Sequence, residues 1–189
     1  MLVIIFAPSD VHSLELAGLM DVFAEANARV AEGFYEVGIV AEENRPLRCG
    51  SGLRVLPDFD YLNCPKDPDT LLVAGSVGIP NAPGKGMIDW LSRAAPQTRR
   101  YGSVCTGAFL LGEAGLLSAR HVATHWQYAP LLAQRFPEAK VDGDRVFIRD
   151  GPMVTSAGSS AAIDLGLSLV EEDLGRDVAL YVARRLVVF

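Results

Sequence analysis

Hydrophobic residues fall into two patterns along this chain, short continuous runs and longer stretches with helical spacing. Residues 2–7 (LVIIFA) and 69–74 (DTLLVA) are apolar almost throughout, as expected of parallel strands covered on both faces. Residues 35–41 and 99–104 predict two further strands. From about residue 13 to about residue 32, apolar positions recur at helical spacing after a serine suited to helix capping, which predicts an amphipathic helix.

The rest of the chain continues this alternation of strands and helices. Helices are expected over about Gly84–Ala95, from Cys105-Thr106-Gly107 through to Leu117, over Tyr128–Phe136 and after Gly158. Residues 46–64 predict a short hairpin or an extended excursion. Residues 139–156 predict short strands with turns at Asp142-Gly143 and Asp150-Gly151. The alternation predicts an α/β, flavodoxin-like fold with a mostly parallel sheet and helices on both faces. A length of 189 residues suits a single domain spanning 1–189.

The last predicted helix has an unusual end. Residues Asp177–Phe189 (DVALYVARRLVVF) stay apolar to the final position, and no Gly, Asn or Pro closes the helix. One explanation is that the last residues pack against this domain or a partner. The explanation that we favour is that the natural chain continues beyond Phe189.

Composition and charge exclude several classes of function. The net charge is −6 and the only basic doublets are Arg99-Arg100 and Arg184-Arg185, so this domain alone should not bind nucleic acid. The apolar amino terminus is too short for a signal peptide or a spanning helix, which predicts a soluble, cytoplasmic protein without a membrane contact. Three irregularly spaced cysteines predict neither disulfides nor zinc, and we expect no metal and no cofactor.

The segment around Cys105 has the layout of a nucleophile elbow, in which a strand delivers a nucleophile into a tight turn before a helix. Small residues are needed around such a turn, and Ser103 and Gly107 supply them. A sulfur at a helix N-terminus is expected to favour the thiolate. The amide of Thr106, together with one from Gly75-Ser76, is a candidate oxyanion hole. A lone cysteine is more often a small buried hydrophobe, which remains the interpretation of Cys49 and Cys64.

Three predicted strand ends carry unusual side chains. They are Ser9-Asp10 with the nearby Glu15, Gly75-Ser76, and Cys105-Thr106. Because pockets of parallel sheets lie beyond the carboxyl ends of the strands, we expect these residues to converge on one small pocket.

The segment VCTGAFLLGEAGLLSARHVATHW resembles the ThiJ/PfpI branch of the class I glutamine amidotransferase-like superfamily. It is especially similar to isonitrile hydratases and to the N-terminal domains of AraC-type regulators of the GlxA kind. LELAGLMDVFAEAN and TSAGSSAAIDLGLSLVEEDLG extend the resemblance over essentially the whole chain, and the final stretch is closer to the regulators. In those regulators it leads into a helix-turn-helix domain that is absent here.

The resemblance implies a role for each candidate residue. Cys105 corresponds to the elbow cysteine, and Glu15 to the acid that hydrogen-bonds its sulfur, a position that is Asp in isonitrile hydratases. Thr106 corresponds to the residue after the nucleophile, His125 to the family histidine, and Gly75-Ser76 to a Gly-Gly pair. Each partner also has a simpler explanation: Glu15 as a charge at a helix N-terminus, His125 as a structural histidine beside an aromatic residue, and the others as turn and cap residues. His12 and His121 are interpreted as surface residues.

Three functions follow from this constellation. The first is the sensory domain of an AraC-type transcription regulator, a homodimer that binds a small metabolite near Cys105 and contacts DNA only through a further domain. The second is an isonitrile hydratase-like or amidase-like enzyme with Cys105 as nucleophile and Glu15 as proton shuttle. The third is a redox or electrophile sensor, which requires a thiol of low pKa that is exposed. We rank the regulator first, because fold members inherit the cysteine whether or not they catalyse.

Overall fold

The computed structural model describes residues 1–30, 33–80 and 83–188. Its strands are, in chain order, β1 (Leu2–Phe6), β2 (Glu36–Ala41), β3 (Leu47–Arg48), β4 (Arg54–Val55), β5 (Phe59–Asp60), β6 (Thr70–Val73), β7 (Arg100–Val104), β8 (His121–Ala123), β9 (Lys140–Asp142), β10 (Phe147–Asp150) and β11 (Met153–Ser156). The helices are α1 (Ser13–Arg29), α2 (Lys85–Ala94), α3 (Ala108–Glu113), α4 (Ala129–Arg135), α5 (Ala161–Leu174) and α6 (Arg176–Arg185).

A seven-stranded sheet forms the centre of the molecule, in the order β10-β11-β7-β6-β1-β2-β5. All neighbouring pairs are parallel except β10 with β11, which the Asp150-Gly151 turn joins as a hairpin. β1 lies between β2 and β6. After β1 the chain adds β2 and β5 on one side of it, and then β6, β7, β11 and β10 on the other side. The predicted α/β fold with a mostly parallel sheet is confirmed.

Apolar side chains on the two faces of the sheet fill two separate cores. Val3 and Ile5 of β1 face a core shared with α1, α5 and α6, whereas Ile4 and Phe6 face a core shared with α2, α3 and α4. Successive residues of a strand point to opposite faces. Burial on both faces therefore favours apolar residues at consecutive positions, which explains the run at residues 2–6.

The ends of two helices differ from the sequence-based expectations. α1 begins at Ser13 as expected, but Ser13 provides no side-chain cap and its hydroxyl instead hydrogen-bonds that of Ser51 (2.9 Å). The described helix ends at Arg29, and Glu32, the predicted end, lies outside the described residues. The prediction that the last helix continues to Phe189 is wrong. α6 ends at Arg185, and Val187 turns into the left-handed region (φ 55°), while Phe189 is not among the described residues.

The two irregular segments also form specific pairings. Within 46–64, β3 and β4 make the expected antiparallel hairpin, but β5 joins the edge of the main sheet beside β2. β9 pairs in parallel with β8 in a separate two-stranded sheet, so the Asp142-Gly143 turn does not close a hairpin. These pairings join segments distant in sequence, and local pattern does not specify them.

A buried ionic cluster lies at the amino-terminal side of the sheet. Arg100, at the start of β7, and Asp173, in the last turn of α5, form an ion pair in which both side chains are 1% exposed. Arg99 Nη2 (2.7 Å) and Tyr35 Oη (2.9 Å) also donate to Asp173. The cluster therefore attaches the end of α5 to the sheet.

Two further properties of the fold concern membrane spanning and metal binding. No helix of the described residues is long and apolar enough to cross a membrane. In the same parts of the chain, no three His, Cys, Asp or Glu side chains are grouped so that they could hold a metal ion.

Candidate functional site

Cys105 lies at a backbone kink between β7 and α3. Its φ is 57°, in the left-handed region that costs an ordinary residue about 1–2 kcal/mol. A 3-10 turn over Cys105–Gly107 then leads into α3. Gly107 allows this turn to press against β6, since a Cβ there would lie 2.3 Å from the carbonyl oxygen of Val73. The local geometry is that of the nucleophile elbow expected from the sequence.

Glu15 lies beside this kink and is completely buried. Its Oε2 accepts a hydrogen bond from the backbone N–H of Gly75 (2.7 Å), and its Oε1 accepts one from that of Ser159 (3.3 Å). The carboxyl lies near enough to the Cys105 thiol for its charge to raise the pKa of that thiol. Burial raises the pKa of Glu15 above its ordinary value, although both backbone donors oppose this shift. The carboxyl therefore connects the end of β6, the elbow and the turn before α5.

Two glycines confine the sulfur. A Cβ at Gly158 would lie 2.6 Å from Cys105 Sγ, and one at Gly75 would lie 2.7 Å from Cys105 Cβ. Cys105 as a whole is only 2% exposed. The thiol is thus enclosed among backbone, the Glu15 carboxyl and Thr106, and it does not project into an open cavity as the sequence-based interpretation assumed.

The pKa of Cys105 moves in the opposite direction to that expected from a helix N-terminus. Burial and the nearby Glu15 charge raise it to about 12, and the hydrogen bonds from Thr106 only partly compensate. The helix that follows is short, and desolvation of the thiolate outweighs its dipole. With this pKa the sulfur is a protonated thiol at neutral pH. The prediction that the helix N-terminus favours a thiolate is therefore wrong.

Two of the three candidate oxyanion donors, the Gly75 and Ser76 amides, already have partners. The Gly75 N–H is donated to Glu15, and the Ser76 N–H is donated to Thr106 Oγ1 at 3.1 Å. The Thr106 hydroxyl donates in return to the Ser76 carbonyl oxygen (3.2 Å). Thr106 therefore attaches the elbow to the end of β6. The Thr106 amide, which interacts with the sulfur, is the member of the expected pair that remains directed at the reactive atom.

His125 is half-buried and lies among aromatic rings. Its Nδ1 accepts a hydrogen bond from the Gln127 N–H (3.3 Å), and its ring stacks on Trp126 with the centroids 5.7 Å apart. Within residues 1–30, 33–80 and 83–188, no hydrogen bond joins His125 to Cys105 or Glu15. The structure thus brings Glu15, Gly75, Ser76 and Thr106 together at Cys105 and leaves His125 out of that network. The imidazole whose charge influences Glu15 belongs to His12, which the sequence interpretation placed at the surface.

Sequence reasoning missed three contacts of the elbow. Gly158 and the Ser159 amide contact Cys105 and Glu15 from the turn before α5. Thr124 donates its hydroxyl to the Cys105 carbonyl oxygen (2.8 Å). The signal that the sequence offered for Thr124 was a polar residue directly before His125, the candidate histidine. Ser159 gave none, because its contribution is a main-chain N–H.

Two cavities are found away from the sulfur. One, of about 400 Å³, lies beyond the carboxyl ends of β1 and β2, and the other, of about 390 Å³, lies between residues 64–68 and α2. Cys105 lines neither of them.

The chain is thus an α/β protein with a mostly parallel sheet. It carries a nucleophile-elbow cysteine at a strained strand-to-helix turn, next to a buried carboxyl. Residues 1–172 match the DJ-1/PfpI family. The chain belongs to the DJ-1/PfpI family.

The relatives comprise an enzyme and regulators. The chain is 34% identical over 177 residues to isonitrile hydratase of Pseudomonas putida, covering 93% of this chain and 73% of that protein. It is 28% identical over 174 residues to the HTH-type transcriptional regulator GbdR of Pseudomonas aeruginosa, covering 92% of this chain but 47% of the regulator. A crystal structure of an AraC family transcriptional regulator from Pseudomonas putida matches with a TM-score of 0.86 at 22% identity, covering 98% of each chain, which shows the shared fold.

Proposed function

We propose that this chain is the sensory domain of an AraC-type transcription regulator and that it binds a small metabolite near Cys105. The supporting observation is the extent of the match to GbdR. It covers 92% of this chain and 47% of the regulator, so the similarity falls on one part of that regulator. In this proposal, DNA is contacted by a separate helix-turn-helix domain, which agrees with the net charge of −6.

The state of the thiol supports sensing over turnover. A pKa of about 12 leaves very little thiolate at neutral pH. In addition, the Gly75 and Ser76 amides are occupied by Glu15 and Thr106 and do not await a developing negative charge. A catalyst needs such donors preorganised and free.

The contacts of Glu15 supply a path from the site to the helical face. Its Oε1 holds the Ser159 amide just before α5, and α5 packs with α1 and α6 in one core. A ligand that reached Cys105 would displace the Gly158 turn, because the sulfur has no free space on that side. The displacement would change the position of α5, which provides a physical route from ligand binding to a changed arrangement of subunits.

The test is a search for a bound small molecule on protein purified from its own host. Native mass spectrometry of the intact chain should show a mass increase that disappears on denaturation and in the Cys105→Ala and Glu15→Gln variants.

The coding sequence beyond codon 189 supplies an independent check, and a stop codon directly after Phe189 argues against the regulator. The proposal includes a homodimer, which sedimentation velocity at micromolar concentration tests.

A second candidate is an isonitrile hydratase-like or amidase-like enzyme. The observation that favours it is 34% identity to isonitrile hydratase over 93% of the chain. Since the resting thiol is neutral, Glu15 would have to accept its proton as Cys105 attacks the substrate carbon. Assays with isonitriles and small amides decide, and turnover no greater than that of Cys105→Ala eliminates the enzyme.

The environment of Cys105 does not support a redox sensor. Ready oxidation requires an accessible thiol of low pKa. Cys105 is 2% exposed and its pKa is raised to about 12, so it has neither property.

A further inference from the structure

The cavity between residues 64–68 and α2 lies at the opposite edge of the sheet from the elbow. Residues 64–68 come shortly before β6, and the end of α2 comes shortly before β7, which runs parallel to β6. The cavity is therefore at the amino-terminal edge of these strands, whereas Cys105 follows the carboxyl end of β7. Its volume of about 390 Å³ is within the range of roughly 300–1,000 Å³ typical of small-molecule sites.

Part of the cavity wall is apolar and includes an aromatic ring. Pro65 and Pro68 line the cavity from the segment before β6, and Trp90 and Ala94 line it from α2. Trp90 is partly buried, and its ring packs against that of Tyr61 with the centroids 6.4 Å apart. Tyr61 is not part of the cavity wall, so this contact leaves the part of the indole that lines the cavity available to a ligand. Another planar ring can stack on such a surface.

The charged side chains that line the cavity carry a net positive charge, although the whole chain carries −6. Lys66 and Arg93 supply two cations, and Asp67 supplies one carboxylate. In the parts of the chain that the structure describes, the side chains of Lys66 and Arg93 form no hydrogen bond or ion pair. A guanidinium can bind a carboxylate through two parallel hydrogen bonds. The cavity therefore favours an anion over a cation.

The third cysteine-bearing segment contributes a neutral group to this wall. Cys64 lines the cavity, and burial raises the pKa of its thiol to about 11. At neutral pH the sulfur is therefore protonated. It adds to the apolar surface and does not oppose an anion, as a thiolate would.

The backbone next to the cavity is strained at one residue. Asp67 has a φ of 59°, although it precedes Pro68 and a residue before proline favours extended backbone. Left-handed conformations are uncommon outside glycine and tend to occur at functional positions. The strain supports a functional role for the segment 64–68.

We propose that this cavity binds a small aromatic carboxylate, with its ring against Trp90 and its carboxylate at Arg93. An aliphatic acid of the same charge would lack the stacking contact. A cationic aromatic compound would be repelled by the net positive wall. The inference concerns a second site and does not rest on the regulator proposal, since neither Cys105 nor Glu15 lines the cavity.

The experiment is calorimetric titration of the whole chain with benzoate, phenylacetate and indole-3-acetate. Cyclohexanecarboxylate keeps the charge without the aromatic ring, and benzylamine keeps the ring with the opposite charge. We expect at least one aromatic acid to bind about threefold or more tightly than cyclohexanecarboxylate and about tenfold or more tightly than benzylamine. Arg93→Gln should weaken that acid about tenfold. Lys85→Gln is the matched control, because it removes a positive charge from the same helix outside the cavity.

Tryptophan fluorescence locates the ligand, because Trp90 and Trp126 are the two tryptophans of the chain. Trp126 does not line the cavity. The aromatic acid should change the emission of Trp126→Phe, in which Trp90 remains, and leave the emission of Trp90→Phe unchanged. A change seen only in Trp90→Phe places the acid elsewhere and contradicts the inference.

The outcomes also separate this inference from the regulator proposal. Equal affinity in wild type and Cys105→Ala, together with weaker binding to Arg93→Gln, supports the cavity. Weaker binding to Cys105→Ala with no effect of Arg93→Gln places the acid at the elbow and overturns the inference. Failure of all three aromatic acids to bind at millimolar concentration also overturns it, as does equally tight binding of cyclohexanecarboxylate. That failure leaves a metabolite that copurifies with the protein and depends on Cys105 unaffected.

Discussion

Glu15 is the residue on which the elbow site depends, because it is buried and yet holds two backbone N–H groups from distant segments. Its effect on the sulfur leads to a prediction about titration. Glu15→Gln removes the charge that helps to raise the pKa of Cys105, so this pKa should fall below about 12. Thiolate absorbance measured against pH, in a background lacking Cys49 and Cys64, reports it. The exposed Glu36→Gln should leave the titration unchanged, and a pKa that rises in Glu15→Gln contradicts the assignment.

The same carboxyl predicts how stability depends on pH. Because burial raises the pKa of folded Glu15 above its ordinary value of 4.5, the folded state binds more protons than the unfolded state as pH rises through this interval. Stability is therefore lost as pH increases above 4.5 towards the folded pKa. Relative to Glu15→Gln, the wild-type free energy of unfolding should fall over that range. Urea titrations of both proteins at several pH values test this, and a difference that does not vary with pH is the contrary result.

Sequence alone was sufficient for some residues of the site and insufficient for others. Cys105 and Thr106 were identifiable because turn chemistry is local, and Glu15 followed from the convergence of strand ends. Ser159 contributes a main-chain N–H from a segment 144 positions away from Glu15, so no property of its side chain signals it. His125 had the right residue type, but its ring is directed among Trp126 and Tyr128, a matter of tertiary packing.

At the level of elements, the turn before α5 packs directly against the elbow. Gly158 has φ +109°, and an added Cβ would lie 2.3 Å from Cys105 Cβ. Gly158→Ala should therefore lose about 1–2 kcal/mol for backbone strain and a further 1–3 kcal/mol, roughly, for overpacking. Gly115→Ala is the matched control, because Gly115 has φ +73° and open space around it. Equal losses in chemical denaturation would show that the contact with Cys105 is unimportant.

The other end of α5 is held by the ionic cluster. Asp173→Asn leaves Arg100 buried with the partly exposed Glu172 as its one charged partner among the described residues. Removing one member of a buried pair costs about 3–5 kcal/mol. Glu113→Gln, which breaks the partly exposed pair with Arg135, should cost only about 0–1 kcal/mol. The two variants, compared by urea denaturation, should differ several-fold, and similar costs would mean that the cluster is electrostatically screened.

Elements were predictable where their signal is local. Continuous apolar runs identified β1 and β6, because burial on both faces favours apolar residues at consecutive positions. The pairing of β5 with β2, and of β9 with β8, depends on segments that meet only in the folded chain. The end of α6 illustrates another limit. The apolar residues 186–188 do not extend the helix, and Val187 adopts a left-handed backbone conformation. Hydrophobic residues occur in helical and non-helical segments alike, so their presence alone does not locate the end of a helix.

For the whole molecule, the decisive feature is one sheet between two apolar cores. The strands β1, β6 and β7 contribute to both cores, so neither core can persist once these strands separate. We therefore expect residues 1–189 to unfold as one cooperative unit. The alternative is that the layer of α1, α5 and α6 separates first and leaves the α2–α4 face intact.

Truncations on opposite faces distinguish these alternatives. Leu165 lies in the core with α1 and α6, and Leu110 lies in the other core, both essentially inaccessible. Each Leu→Ala change should cost about 2–5 kcal/mol. In a Trp126→Phe background, fluorescence comes from Trp90, which packs against the core of Leu110. Leu165→Ala should nevertheless shift the Trp90 transition to the same urea concentration as the far-ultraviolet circular dichroism transition. If Leu165→Ala shifts only the dichroism, the two faces unfold separately and the chain is not a single cooperative domain.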